Sequence, residues 1–151
     1  MIRKYIYSIF LLVVSGFWAN AQISFGPNSS FKYLKGKDAT SIPSNWMTAN
    51  YAAADWNDGN APFWYGDGTD GTQLDDMQFN YSTVYLRSTF TAVNVKDLQT
   101  VNFSVNFDDG FIIWINGEEA IRVNAPVDHP YNSFSTDLHE SGTFDLYTLS
   151  N

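Results

Sequence analysis

VNFSVNFDDGFIIWINGEEAIRVN, residues Val101–Asn124, decides the fold. Val101, Phe103, Val105 and Phe107 alternate with Asn102, Ser104 and Asn106, the two-residue period of a strand with one buried face. Asp108-Asp109-Gly110 interrupts the run, and its glycine tolerates a left-handed backbone at little steric cost. Phe111–Ile115 is a short continuous apolar run, the pattern of a strand covered on both faces. Asn116-Gly117 is a strong hairpin signal, because a type I′ turn needs positive φ at both central residues. The expectation is three strands joined by two tight turns, an antiparallel meander with Val101–Phe107 paired to Phe111–Ile115.

Outward from this segment every local signal is again strand or turn, and no sustained helical period appears after the first residues. Phe31–Leu34 and Thr143–Leu149 read as strands, and Val84–Thr91 as a strand with Val84, Leu86 and Phe90 facing inward. Asn57–Asp76 is rich in glycine and aspartate and reads as turns, as does the proline-containing Ala125–Gly142. Trp46–Trp56 suggests a short helical turn, with Trp46, Trp56 and Phe63 plugging the core beneath long loops. The fold class expected is all-β, an antiparallel jelly-roll sandwich.

Residues 1–21 stand apart. Arg3 and Lys4 precede the largely apolar Tyr5–Trp18, and Ala19-Asn20-Ala21 is a small-x-small cleavage site. An apolar stretch of about 14 residues falls short of the roughly 20 that a membrane-spanning helix needs. The pattern is that of a cleaved signal peptide, giving a secreted or cell-surface domain over residues 22–151. The chain has no cysteine, which excludes disulfides and a lipidated N-terminal cysteine. Its formal charge of −8 becomes −10 once Arg3 and Lys4 leave. Such an acidic surface repels phosphate backbones and anionic headgroups, which argues against nucleic acid and direct membrane binding.

Three collinear motifs carry a resemblance. Asp108-Asp109-Gly110, Asn116-Gly117 and the following Arg122, Asn124 and Pro126 form the first. The second runs from Trp56 through Asn60-Ala61-Pro62-Phe63 to Trp64-Tyr65-Gly66, and the third is Tyr85-Leu86-Arg87-Ser88-Thr89-Phe90. Together, over about Phe31–Tyr131, they resemble the galactose-binding-like jelly-roll module of secreted multidomain bacterial proteins. The resemblance implies a binding or scaffolding domain beside further domains of the same polypeptide. It also implies a Gly-Glu-Asn turn and closing strand after Asn151, hence a piece of a larger secreted protein. The Asp108-Asp109 step is similar, more weakly, to that of the protective-antigen-like calcium lectins, in which such a step holds calcium and the calcium contacts sugar hydroxyls.

Catalytic patterns are missing from the sequence: no cysteine nucleophile, no Gly-x-Ser-x-Gly, no His-Glu-x-x-His and no Walker loop. His129 and His139 are isolated in polar loops and read as solvated. The adjacent acid pairs Asp75-Asp76, Asp108-Asp109 and Glu118-Glu119 suit glycoside hydrolysis poorly, since neighbouring strand residues point to opposite faces. The chain reads as non-enzymatic. Calcium takes roughly six to eight oxygens, and Asp67, Asp70, Asp108 and Asp109 are its candidate ligands. Asp75 and Asp76 lie in the same acidic stretch. The alternative is that Asp108-Asp109-Gly110 is a plain turn whose carboxylates accept from nearby backbone N–H groups.

Of 26 aromatic residues, 21 remain after the leader, more than an alternating core of this size uses. Trp64, Tyr65 and Tyr131 are therefore candidate ligand platforms, with flat rings in loops that can stack on a sugar face. The functional expectation is a secreted carbohydrate-binding or adhesion module, its site where Trp64, Tyr65 and the Asp67–Asp76 loop meet Asp108-Asp109. Its alternatives are a ligandless spacer and an accessory domain of a secreted hydrolase.

Overall fold

Strand β1 (Ser30–Lys35) is the centre from which the fold is built. The computed structural model describes residues 25, 28–66, 68, 70–92, 100–128 and 130–150; the leader, Asp67, His129 and residues 93–99 lie outside them. β1 pairs antiparallel with β2 (Asn57–Asn60) on one side and β5 (Val84–Arg87) on the other. Between these lie β3 (Phe63–Trp64) and β4 (Thr72–Gln73), a short parallel pair. β6 (Thr100–Val105) pairs antiparallel with β9 (Asp145–Ser150), and β7 (Phe111–Ile115) with β8 (Glu118–Val123). The described residues are all-β apart from a 3-10 turn at Gly36–Asp38, and the class is the β-sandwich that the alternating patterns predict.

The β7–β8 hairpin forms as its turn chemistry dictates. Asn116 and Gly117 hold φ of 53° and 98°, and Ile115 faces Glu118 across the turn. The preceding turn does not close a hairpin. β6 and β7 belong to different sheets, and β6 is paired along its six residues with β9. Asp109, not Gly110, takes the left-handed conformation, at φ 59°. Gly110 is needed for close approach instead: a Cβ there would sit 2.8 Å from the Asn124 carbonyl oxygen. Asp108-Asp109-Gly110 therefore steps the chain from one sheet to the next. The strand pattern is intact, and its partner is corrected.

A second correction concerns β5. Tyr85, not Leu86, faces the packed side, and Leu86 and Phe90 are 40% and 51% exposed. The cause is the 43–56 segment, a chain of tight turns closed by bonds such as Trp46 N–H to the Pro43 carbonyl and Trp56 N–H to that of Ala53. It lays Trp46 and Trp56 over the side of the sheet that bears Leu34 and Tyr85. Trp46 meets Tyr85 edge-on at 5.1 Å and Trp114 of β7 at 5.2 Å, so the two tryptophans join the first sheet to the β7–β8 hairpin. Each such aromatic pair is worth about 0.5–1.5 kcal/mol beyond its area burial.

A second aromatic group joins the remaining sheets. Phe107 is buried and packs edge-on against Phe111 at 4.7 Å, and Phe111 meets Tyr147 of β9 at 5.4 Å. Phe103 and Val105 are half-buried, so the inward face read from the alternation holds. On the far side of the first sheet, Phe31 and Tyr33 pack on Phe63. Gly59 permits that packing, since a Cβ there would lie 2.9 Å from the Phe63 ring. β2 itself, Asn-Asp-Gly-Asn, has no apolar pattern and is a strand through its pairing with β1.

Candidate functional site

Register places three charged residues in one row. Lys32 of β1 stands opposite Asp58 of β2 on one side and Arg87 of β5 on the other. Lys32 Nζ lies 2.7 Å from Asp58 Oδ1, and the Asp58 side chain is 84% exposed. The row forms one wall of an open groove of about 270 Å³, whose other wall is the Ala49–Ala53 segment with Tyr51. Ser88 and Thr89, just past the end of β5, close its rim with hydroxyls. The volume falls just below the roughly 300–1,000 Å³ of typical small-molecule sites, room for a sugar ring rather than a large cofactor.

Arg87 fixes the opposite wall. Its guanidinium donates to three backbone carbonyls, Trp46 at 2.9 Å, Thr48 at 2.7 Å and Ala49 at 3.1 Å. It also lies over the Tyr51 ring, which in turn packs on Trp56 at 5.9 Å. A planar fork with five N–H donors can satisfy several carbonyls at once, which an ammonium cannot match geometrically. Ala53 ends this wall in a left-handed conformation, φ 48°, while almost fully buried. Such strain in a non-glycine residue is held by the surrounding packing and marks a shaped segment. The groove is thus apolar along Tyr51 and the alanines and charged along the β2-β1-β5 row.

The Trp64 loop has a different construction. Trp64 Nε1 donates to the Asp70 carbonyl at 2.5 Å, and the Gly68 backbone is pressed so closely on the indole that a Cβ there would lie 2.2 Å from it. Gly71, at φ 82°, tucks under Pro62, and Leu74 behind it is 2% exposed. Trp64 therefore staples its own loop, while Tyr65 beside it is 48% exposed. Asp70 takes part through its backbone carbonyl, and Asp67 lies outside the described residues. The loop is tied to the groove: Thr72 Oγ1 bonds both the N–H and the carbonyl of Asn60, and Asn60 Oδ1 accepts from the Ser30 hydroxyl at the groove's edge.

Asp76, farther along the loop, is held by Lys35 at 2.7 Å, by Lys37 and by the Tyr81 hydroxyl at 2.9 Å. These donors hold its carboxyl well below the usual carboxylate range. Tyr131 is half-buried, its carbonyl taken by the Thr83 hydroxyl, next to Gly36.

Asp108 and Asp109 are engaged elsewhere. Asp109 N–H donates to the His139 carbonyl at 2.8 Å, and Asp109 Oδ1 accepts from His139 N–H at 3.1 Å. Asn124 Nδ2 donates to the Asp109 carbonyl at 2.9 Å. Partial burial, then Asp109 and Glu140, push the Asp108 carboxyl upward against an opposing pull from His139. His139 is not the solvated residue its polar surroundings suggest: its ring stacks on Phe107 at 3.9 Å, and Nε2 lies 2.9 Å from Asp145 Oδ2. Among the described residues no three His, Asp or Glu side chains converge as a metal site. Among the described residues no hydrogen bond joins the Asp108-Asp109 step to the Trp64 loop, and the two hang on separate sets of partners.

Comparison with protein-family models, curated proteins and solved structures returned no match, so the galactose-binding-like resemblance rests on the motif residues alone. In the structure those motif residues are framework. Trp56 and Tyr85 belong to the core around Trp46, Arg87 clamps the turns, and Asn116-Gly117 makes the hairpin. The groove residues Lys32, Tyr51 and Asp58 are too far apart in sequence to form a motif, and only strand register brings them together. The single cue was Arg87, an arginine inside a strand pattern.

Proposed function

We propose that this chain is a secreted, non-catalytic carbohydrate-binding module of galactose-binding-like type, serving attachment within a larger polypeptide. The observation that carries this reading is the groove on the β2-β1-β5 sheet, which offers an apolar wall facing a hydrogen-bonding wall. A sugar ring presents the same two characters: C–H edges that favour Tyr51 and the alanines, and hydroxyls that both donate and accept. Lys32 supplies donors, the Ser88 hydroxyl, whose proton goes to the Ser30 carbonyl, supplies an acceptor, and Asp58 supplies a well-exposed one. Tyr65, on the loop tied to the groove through Asn60 and Thr72, is the exposed aromatic that would extend the site to a second ring.

A glycan array followed by calorimetry tests the reading. Hits are expected for the native protein, and Ala52→Trp, which fills the groove from its exposed rim, should abolish them without shifting the melting temperature. An array without hits would leave the ligandless spacer as the better description. Binding that survives Ala52→Trp would move the site away from the groove.

A further inference from the structure

The charge balance of the groove narrows the ligand class. Two cations, Lys32 and Arg87, stand side by side in the row, with one carboxylate, Asp58, beyond Lys32. Asp58 is paired with Lys32, and no ion pair to Arg87 is found among the described residues. Three carbonyl dipoles and the Tyr51 ring solvate the guanidinium without supplying any formal negative charge. Those three bonds occupy three of the five guanidinium N–H donors, which leaves two for another acceptor. The groove thus carries one net positive charge on a chain whose formal charge is −8.

We infer that the groove takes an acidic sugar, a uronic-acid-bearing glycan whose carboxylate seats between Lys32 and Arg87. This inference rests on the carbohydrate reading above. A ligand carboxylate there neutralises the unpaired charge and forms charge-assisted hydrogen bonds, about twice as strong as neutral ones. Asp58 then plays a double part: it holds Lys32 at the groove wall and competes with the ligand for the ammonium. The surrounding acidic surface slows approach of anions in general, so affinity depends on this local pair and selects carboxylated sugars that also fit the groove.

The experiment compares a uronic-acid oligosaccharide with its carboxyl-reduced, neutral counterpart by calorimetry at low and at high salt. The native protein should bind the acidic form about tenfold more tightly, a margin that salt erodes. Lys32→Gln should abolish that margin. Asp58→Asn, in contrast, should widen it by freeing Lys32, an opposite sign that general damage to the groove cannot produce. Both variants leave the Arg87 clamp in place, and unchanged melting curves verify that they fold. Equal binding of the two oligosaccharides, or a preference untouched by Lys32→Gln, would overturn the acidic-sugar inference while leaving the carbohydrate reading in force. Absence of binding by either oligosaccharide, with no hit on the array, would overturn both.

Discussion

The Arg87 guanidinium lies 5.7 Å from the centre of the Tyr51 ring, and the same side chain bonds the carbonyls of Trp46, Thr48 and Ala49. One side chain therefore connects the end of β5 to the whole segment that covers the sheet and walls the groove. Hydrogen bonds to a charged group contribute about 1.5–3 kcal/mol each, less where solvent reaches them. Arg87→Ala should lower stability by about 2–4 kcal/mol in denaturant melts, with the loss arising mainly from the freed carbonyls. Arg87→Lys should recover only part of it, since one ammonium cannot reproduce the planar fork. Equal stability of Arg87→Lys and the native protein would show that charge alone matters.

Asp76 gives a pH signature. Lys35 and Lys37, then Tyr81, hold its folded-state carboxyl below its ordinary value. An acid lowered by folding contributes stability that is fully present above its unfolded pKa and is lost as pH falls through the folded one. The native protein should exceed Asp76→Asn by a constant margin from neutral pH down to the ordinary carboxylate range. Below that range the two should converge. Added salt should shrink the margin, because the cluster is solvent-accessible. A margin that already vanishes near pH 5 would contradict the three-donor arrangement.

Asp108 should behave oppositely. Burial and the neighbouring Asp109 and Glu140 raise its carboxyl above the ordinary value, so its ionised form opposes folding at neutral pH. The cost is present above the folded pKa and is relieved as pH falls through it. Asp108→Asn should therefore stabilise the protein at pH 7, and the gain should disappear in acid. A loss of stability at pH 7 would mean that the carboxylate has a cationic partner there.

Local chemistry made some of this fold readable. Asn116-Gly117 specified the β7–β8 hairpin because type I′ geometry leaves few other residues suitable. The alternation through Phe107 correctly gave the inward face of β6, and Trp46 and Trp56 are the plugs their setting suggested. Pairing was harder. Asp108-Asp109-Gly110 looks the same whether it closes a hairpin or crosses between sheets, and the partner β6 takes, β9, lies about forty residues away. Tyr85 and Leu86 exchanged faces because a strand's period marks two sides without saying which one a distant loop will cover. The polar strand Asn57–Asn60 carries no periodic signal at all, yet it brings Asp58 to Lys32. His139 found Phe107 and Asp145 through the same long-range assembly. Of the residues expected at the site, Trp64 proved to be the staple of its own loop, while Tyr65 kept the exposure a platform needs.

The most direct test of the account is a titration of the isotope-labelled protein with an array-identified oligosaccharide, followed through its backbone amide resonances. The account predicts saturable shifts concentrated at Lys32, Tyr51, Ala53, Asp58 and Ser88, with smaller ones reaching Tyr65. Shifts confined to the Asp108–His139 region, or none at saturating sugar, would contradict it.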